Sequence, residues 1–102
     1  MRILLLFCDG MGLGAPAPST NPFFHAPMKT LRALFGKIPT RDDGVLFGEH
    51  AILVPTDACL GVNGVPQSGT GQTTIFTGIN APAAIGEHLG PYPNEALRAI
   101  LK

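Results

Sequence analysis

Two residues stand where their type could serve metal or phosphate chemistry, Asp9 and Ser68. Asp9 ends an apolar run and precedes Gly10. A carboxylate there can ligate a hard cation or zinc. The plainer reading is an Asp that caps its own turn. Ser68 lies within the stretch from Gly64 to Gly78, GVPQSGTGQTTIFTG. Gly64 and Pro66 favour a turn, Ser68 suits the N-cap of a helix, Ile75 and Phe76 supply an apolar face, and Gly78 suits the stop. The N-terminus of a helix offers unpaired N–H groups and attracts anions. A serine there either caps the helix or presents its hydroxyl to a phosphate.

Other motifs compete less well. Gly10-Met11-Gly12-Leu13-Gly14-Ala15 matches the spacing of a dinucleotide-binding loop. That loop must open a helix at once, yet Pro16 and Pro18 interrupt. His25, His50 and His88 form no pair at metal-ligand spacing. His88 lies in a loop near the main stretch and reads, like the other two, as a structural or surface histidine; Asp57, after the strand candidate, reads as a turn Asp before it reads as a second acid near Asp9. Asp42-Asp43 reads as a solvated turn pair. Asn21 and Asn80 are loop residues that can donate to an anion or close their own turns.

The elements needed to position these residues are legible in outline. Residues 3–8, ILLLFC, form a continuous apolar run of the kind found in a central parallel strand. Asp9 would then stand at that strand's carboxyl end, where open sheets place their ligands. Residues 10–27 read as a loop anchored by Phe23 and Phe24. Residues 28–35 read as a helix with Met28, Leu31, Leu34 and Phe35 on one side and Gly36 as its end. Short strands are expected at 44–47 and 51–54, and a loop at 79–93. A last helix should follow Asn94 as its cap, with Ala96, Leu97, Ile100 and Leu101 on one face. The pattern predicts one α/β segment over residues 1–102 built on a parallel sheet.

Composition bounds the function. The 102 residues include 45% hydrophobic and 14% charged, and the formal net charge is zero. That balance removes the electrostatic case for nucleic acid or an anionic membrane surface. Thirteen glycines and ten prolines predict loops gathered about a site. Cys8 and Cys59 set up neither a disulfide framework nor a metal knuckle and read as buried thiols, consistent with a reducing cytoplasm. No apolar run is long enough to span a membrane.

Two stretches together resemble the alkaline phosphatase superfamily, in its cofactor-independent phosphoglycerate mutase-like metalloenzyme branch. One is Leu6-Phe7-Cys8-Asp9-Gly10-Met11-Gly12 with Asn21-Pro22 and Ala26-Pro27 after it. The other is Gly64 to Gln72, closed by Thr77-Gly78. The resemblance implies a partial three-layer α/β fold with a parallel sheet core. It implies two divalent metal ions, Mn²⁺ or Zn²⁺, with Asp9 and Ser68 among their ligands. It makes Ser68, rather than Thr70, the nucleophile that forms a phosphoserine on a small phosphorylated substrate. Asn21, Gly69 and Thr70 would then contact the substrate.

Gln72 stands where that branch has His, and the branch draws its remaining metal ligands from a later region rich in Asp and His. The chain therefore resembles the N-terminal part of such an enzyme. The alternatives are a non-catalytic remnant that keeps the fold and docks to a partner chain and, more weakly, a dinucleotide-binding domain.

Overall fold

The structure is a computed structural model that describes all residues, 1–102. The chain forms two compact units, Met1–Thr56 and Asp57–Lys102.

In the first unit a 3₁₀ turn, Pro22–His25, is followed by helix α1, Lys29–Phe35, and by strands β1, Leu46–Phe47, and β2, Ile52–Leu53. Proline at the first position of the 3₁₀ turn and Asn21 before it start the turn; the Asn21 side chain accepts from Phe23 N–H. Helix α1 half-buries Met28, Leu31, Leu34 and Phe35 on one side and exposes Lys29 and Arg32. It ends at Gly36, whose φ of 73° lets its N–H close back on the Arg32 carbonyl. Beyond it, Ile38, Pro39 and Thr40 are buried. Asp43 fixes this corner. Its carboxylate accepts from Thr40 N–H at 2.7 Å and Thr40 Oγ1 at 2.9 Å and pairs with Lys37.

Strands β1 and β2 pair antiparallel, Leu46 with Leu53 and Phe47 with Ile52. Gly48 N–H donates to the Ala51 carbonyl at 2.8 Å, so the connection is a tight hairpin. Such a connection permits only antiparallel pairing, because parallel strands need a long crossover.

This two-stranded sheet is the whole β structure, and it overturns the expected α/β architecture with a parallel sheet core. The run 3–8 forms no strand. A central parallel strand needs a hydrogen-bonded neighbour on each side and a covering layer on each face. Residues 3–7 have neither a backbone hydrogen bond nor cover, and Leu4 is 91% exposed. Cys8, expected to be a buried thiol, is exposed with them.

The second unit packs three helices together: α2, Ser68–Thr77, α3, Ala81–Ile85, and α4, Glu95–Ile100. Its core is Ala81 and Leu97, with Thr70, Thr73 and Pro82 buried beside them. Helix α3 lies inside the segment expected to be loop. Its start signal is Asn80, whose side chain accepts from Ala83 N–H, with Pro82 in the first turn. Helix α4 begins as expected, with Asn94 Oδ1 accepting from Leu97 N–H at 3.0 Å. No helix is long and apolar enough to cross a membrane.

Candidate functional site

Asp9 belongs to the first unit and Ser68 to the second. Asp9 lies in an exposed turn with Gly10, whose φ is +69°. No sheet edge presents it, since the segment before it is not a strand. The glycine-rich residues 10–15 open no helix, the first regular element after them being the 3₁₀ turn at Pro22. Asn21 is buried at the base of that loop. Its Oδ1 accepts from Phe23 N–H and its Nδ2 donates to the Ala15 carbonyl at 2.9 Å, so both polar groups are engaged within the chain.

Ser68 is the first residue of α2, and the cap position belongs to Gln67. Gln67 has extended backbone and makes no capping hydrogen bond through its side chain. The capping role read for Ser68 therefore does not hold. The first turn is secured from outside the helix instead. Thr70 N–H donates to the Leu89 carbonyl at 2.9 Å, and Leu89 N–H donates to Thr70 Oγ1 at 3.3 Å. The segment at Leu89 and Gly90 lies so close to the helix that a Cβ on Gly69 would sit 2.5 Å from the Leu89 carbonyl oxygen. Gly69 thus allows a strap of chain to cross the start of α2.

The hydroxyls of α2 divide sharply. Thr70, at 0% exposure, is held by Leu89 and by the Gln67 carbonyl at 3.2 Å. Thr73, Thr74 and Thr77 each donate to the carbonyl one turn back, at 2.8, 3.0 and 2.7 Å. Such back-bonding satisfies a threonine hydroxyl against its own helix. Ser68 Oγ alone makes no hydrogen bond within the chain, and it is half-buried. Neither Ser68 N–H nor Gly69 N–H has a backbone partner, as expected of a helix start.

The loop from Asp57 to Gly64 precedes this turn in the chain. Asp57 accepts from Cys59 N–H at 2.9 Å and Gly61 N–H at 3.2 Å. These two bonds, that from Cys59 first, hold its carboxyl below the usual carboxylate range. His88 Nε2 lies 3.1 Å from the Val62 carbonyl, which fixes the tautomer with the proton on Nε2, because a carbonyl can only accept. Asn80 Nδ2 donates to the Leu60 carbonyl at 2.9 Å. Asp57, His88 and Asn80 therefore build the loop's shape. The Asp57 bonds are local, reaching two and four residues ahead as a turn Asp does, whereas the Asn80 and His88 bonds join positions 20 and 26 residues apart and were not legible from residue spacing.

The chain gathers no group of three or more His, Cys, Asp or Glu side chains able to hold a metal ion. A catalytic metal is normally held by about three protein ligands. The chain's own donors do not fit a two-metal centre. Comparison with protein-family models, curated proteins and solved structures finds no match.

Proposed function

We propose that the chain carries the nucleophile-bearing segment of a phosphoryl-transfer or phosphate-ester hydrolysing enzyme, with Ser68 taking the phosphoryl group. The observation that carries this reading is the free, half-buried Ser68 hydroxyl on the first turn of α2. The reading is supported equally by Thr70. Its hydroxyl is committed to Leu89 and so leaves Ser68 as the hydroxyl available for chemistry.

In this reaction Ser68 Oγ gives up its proton as it attacks phosphorus, the bond from phosphorus to the ester oxygen breaks, and the departing alkoxide takes up that proton to leave as the alcohol. The phosphoserine is then released by water or passes its phosphoryl group to an acceptor. The N–H groups of Ser68 and Gly69 face the charge on the phosphoryl oxygens. Metal ions of the Mn²⁺ or Zn²⁺ type, implied by the sequence resemblance, would take most of their ligands from outside this chain. Asp9 is the ligand the resemblance assigns here.

Peptide mapping after incubation with a phosphate monoester and Mn²⁺ or Zn²⁺ tests the assignment. Phosphate is expected on Ser68 and absent from Ser68→Ala. Phosphate on Thr70, or an undiminished signal in Ser68→Ala, would overturn it.

A second reading follows from the lack of a ligand cluster: a non-catalytic chain that docks to a partner holding the missing donors. The same peptide mapping separates the two: phosphate on Ser68 contradicts the docking reading.

A further inference from the structure

The first turn of α2 lacks the usual means of holding itself. Its cap residue, Gln67, makes no capping bond through its side chain, and the turn carries no acidic residue. Gly69 and Gly71 both fall within it, and glycine weakens a helix more than any residue except proline. Left to itself such a turn frays. Yet Ser68 is its first residue.

Segment 88–90 crosses this turn and is tied on both sides of Ser68. On one side His88 Nε2 donates to the Val62 carbonyl at 3.1 Å, in the loop before the serine. On the other, Leu89 and Thr70 exchange two bonds. Thr70 N–H donates to the Leu89 carbonyl at 2.9 Å, and Leu89 N–H donates to Thr70 Oγ1 at 3.3 Å. Between these ties the strap lies against the serine's own backbone, since a Cβ on Gly90 would stand 3.4 Å from Ser68 N. The Thr70 hydroxyl is the joint. It accepts from the strap while it donates to the Gln67 carbonyl at 3.2 Å, and at 0% exposure water cannot replace either partner. We propose that Thr70 is the positioning residue for Ser68: its hydroxyl ties the strap at Leu89 to the first turn of α2 and so holds the serine hydroxyl in place for phosphoryl transfer. This role rests on Ser68 being the nucleophile. A nucleophile must be held closely, because a misplacement of about 1 Å can cost roughly a hundredfold in rate.

Two substitutions at one position test the role. Thr70→Val keeps the shape and removes the hydroxyl; Thr70→Ser keeps the hydroxyl and removes the methyl group. Thr73→Val is the matched control, since Thr73 is also buried but its hydroxyl bonds the Gly69 carbonyl of its own helix. Carbon NMR of Ser68 is the first readout and needs no reaction. The Ser68 Cα and Cβ shifts should be helical in the unaltered chain, move toward unfolded-chain values in Thr70→Val, and stay helical in Thr70→Ser and Thr73→Val. The second readout is the rate of phosphate uptake at Ser68 from a phosphate monoester with Mn²⁺ or Zn²⁺. It should fall at least roughly tenfold in Thr70→Val and stay near the unaltered rate in the other two. If Thr70→Val loses its fold by circular dichroism, Leu89→Pro removes the same bond from the strap side, since proline has no N–H to give. Helical Ser68 shifts or undiminished uptake in Thr70→Val would overturn the proposal. So would an equal loss in Thr73→Val, or no recovery in Thr70→Ser. An unaltered chain that takes up no phosphate overturns the phosphoryl-transfer reading and this role with it. The carbon shifts tell that failure apart from loss of the strap.

Discussion

A single hydroxyl separates Ser68 from its neighbours in α2. Threonine can turn its hydroxyl onto the carbonyl one turn back and so be buried almost as an apolar residue. Thr70 and Thr73 do this at the interior of the second unit. Ser68 has no earlier helical turn to bond to, which leaves its hydroxyl open. Asp57 shows how the same scale governs the pH response. Its carboxylate accepts two backbone N–H bonds only when the loop is folded, so its folded pKa lies below its unfolded value. A depressed carboxylate contributes stability above the unfolded pKa, about 4, and loses it as pH falls through the folded pKa. The loop from Asp57 to Gly61 should therefore hold at neutral pH and loosen only in stronger acid. Carbon NMR of the Asp57 carboxyl should give a midpoint lower than in the urea-unfolded chain. Equal midpoints would contradict the two hydrogen bonds.

Elements whose ends are set by local chemistry were legible in the sequence. Gly36, Gly78 and Asn94 each act within one turn of their own position, and each does what its residue type dictates. The apolar side of α1 was legible because its period is helical. Helix α2 was not legible in the same way. Ile75 and Phe76, expected to face the core, are exposed, and the threonine face packs inward. Hydrophobic pattern could not reveal that, since the threonines become buriable only through hydrogen bonds formed after the helix exists. The strap at Leu89 was equally hidden, because it depends on a contact across 19 residues of sequence. Gly69 makes that contact possible, and it predicts a cost. In Gly69→Ala the new Cβ would meet the Leu89 carbonyl at 2.5 Å, and backbone cannot yield as a flexible side chain would. The variant should lose about 1–3 kcal/mol. Amide exchange at Thr70, now protected by the bond to Leu89, should quicken. Gly71→Ala is the control, because a Cβ there meets nothing within 4 Å.

At the scale of the molecule, the apolar residues outnumber the places to bury them. Only Ile38, Ala81 and Leu97 among its hydrophobic residues are buried. Stability should therefore sit at the low end of the range for 102 residues, about 5 kcal/mol. Leu97 is the one large aliphatic side chain sealed completely within the second unit, at 0% exposure, and it is carried there by the capped start of α4. Truncating it removes the transfer energy of its buried carbons and leaves a cavity that α2 and α3 can only partly refill. Leu97→Ala should then cost about 2–4 kcal/mol, a large share of the margin available. Urea denaturation should show the midpoint cut by roughly 40–80%. Phe76→Ala removes a larger side chain, but one that is 68% exposed, and its midpoint should move little. A large loss in Phe76→Ala with a small one in Leu97→Ala would mean that the apolar face of α2, and not its threonine face, is the one that packs.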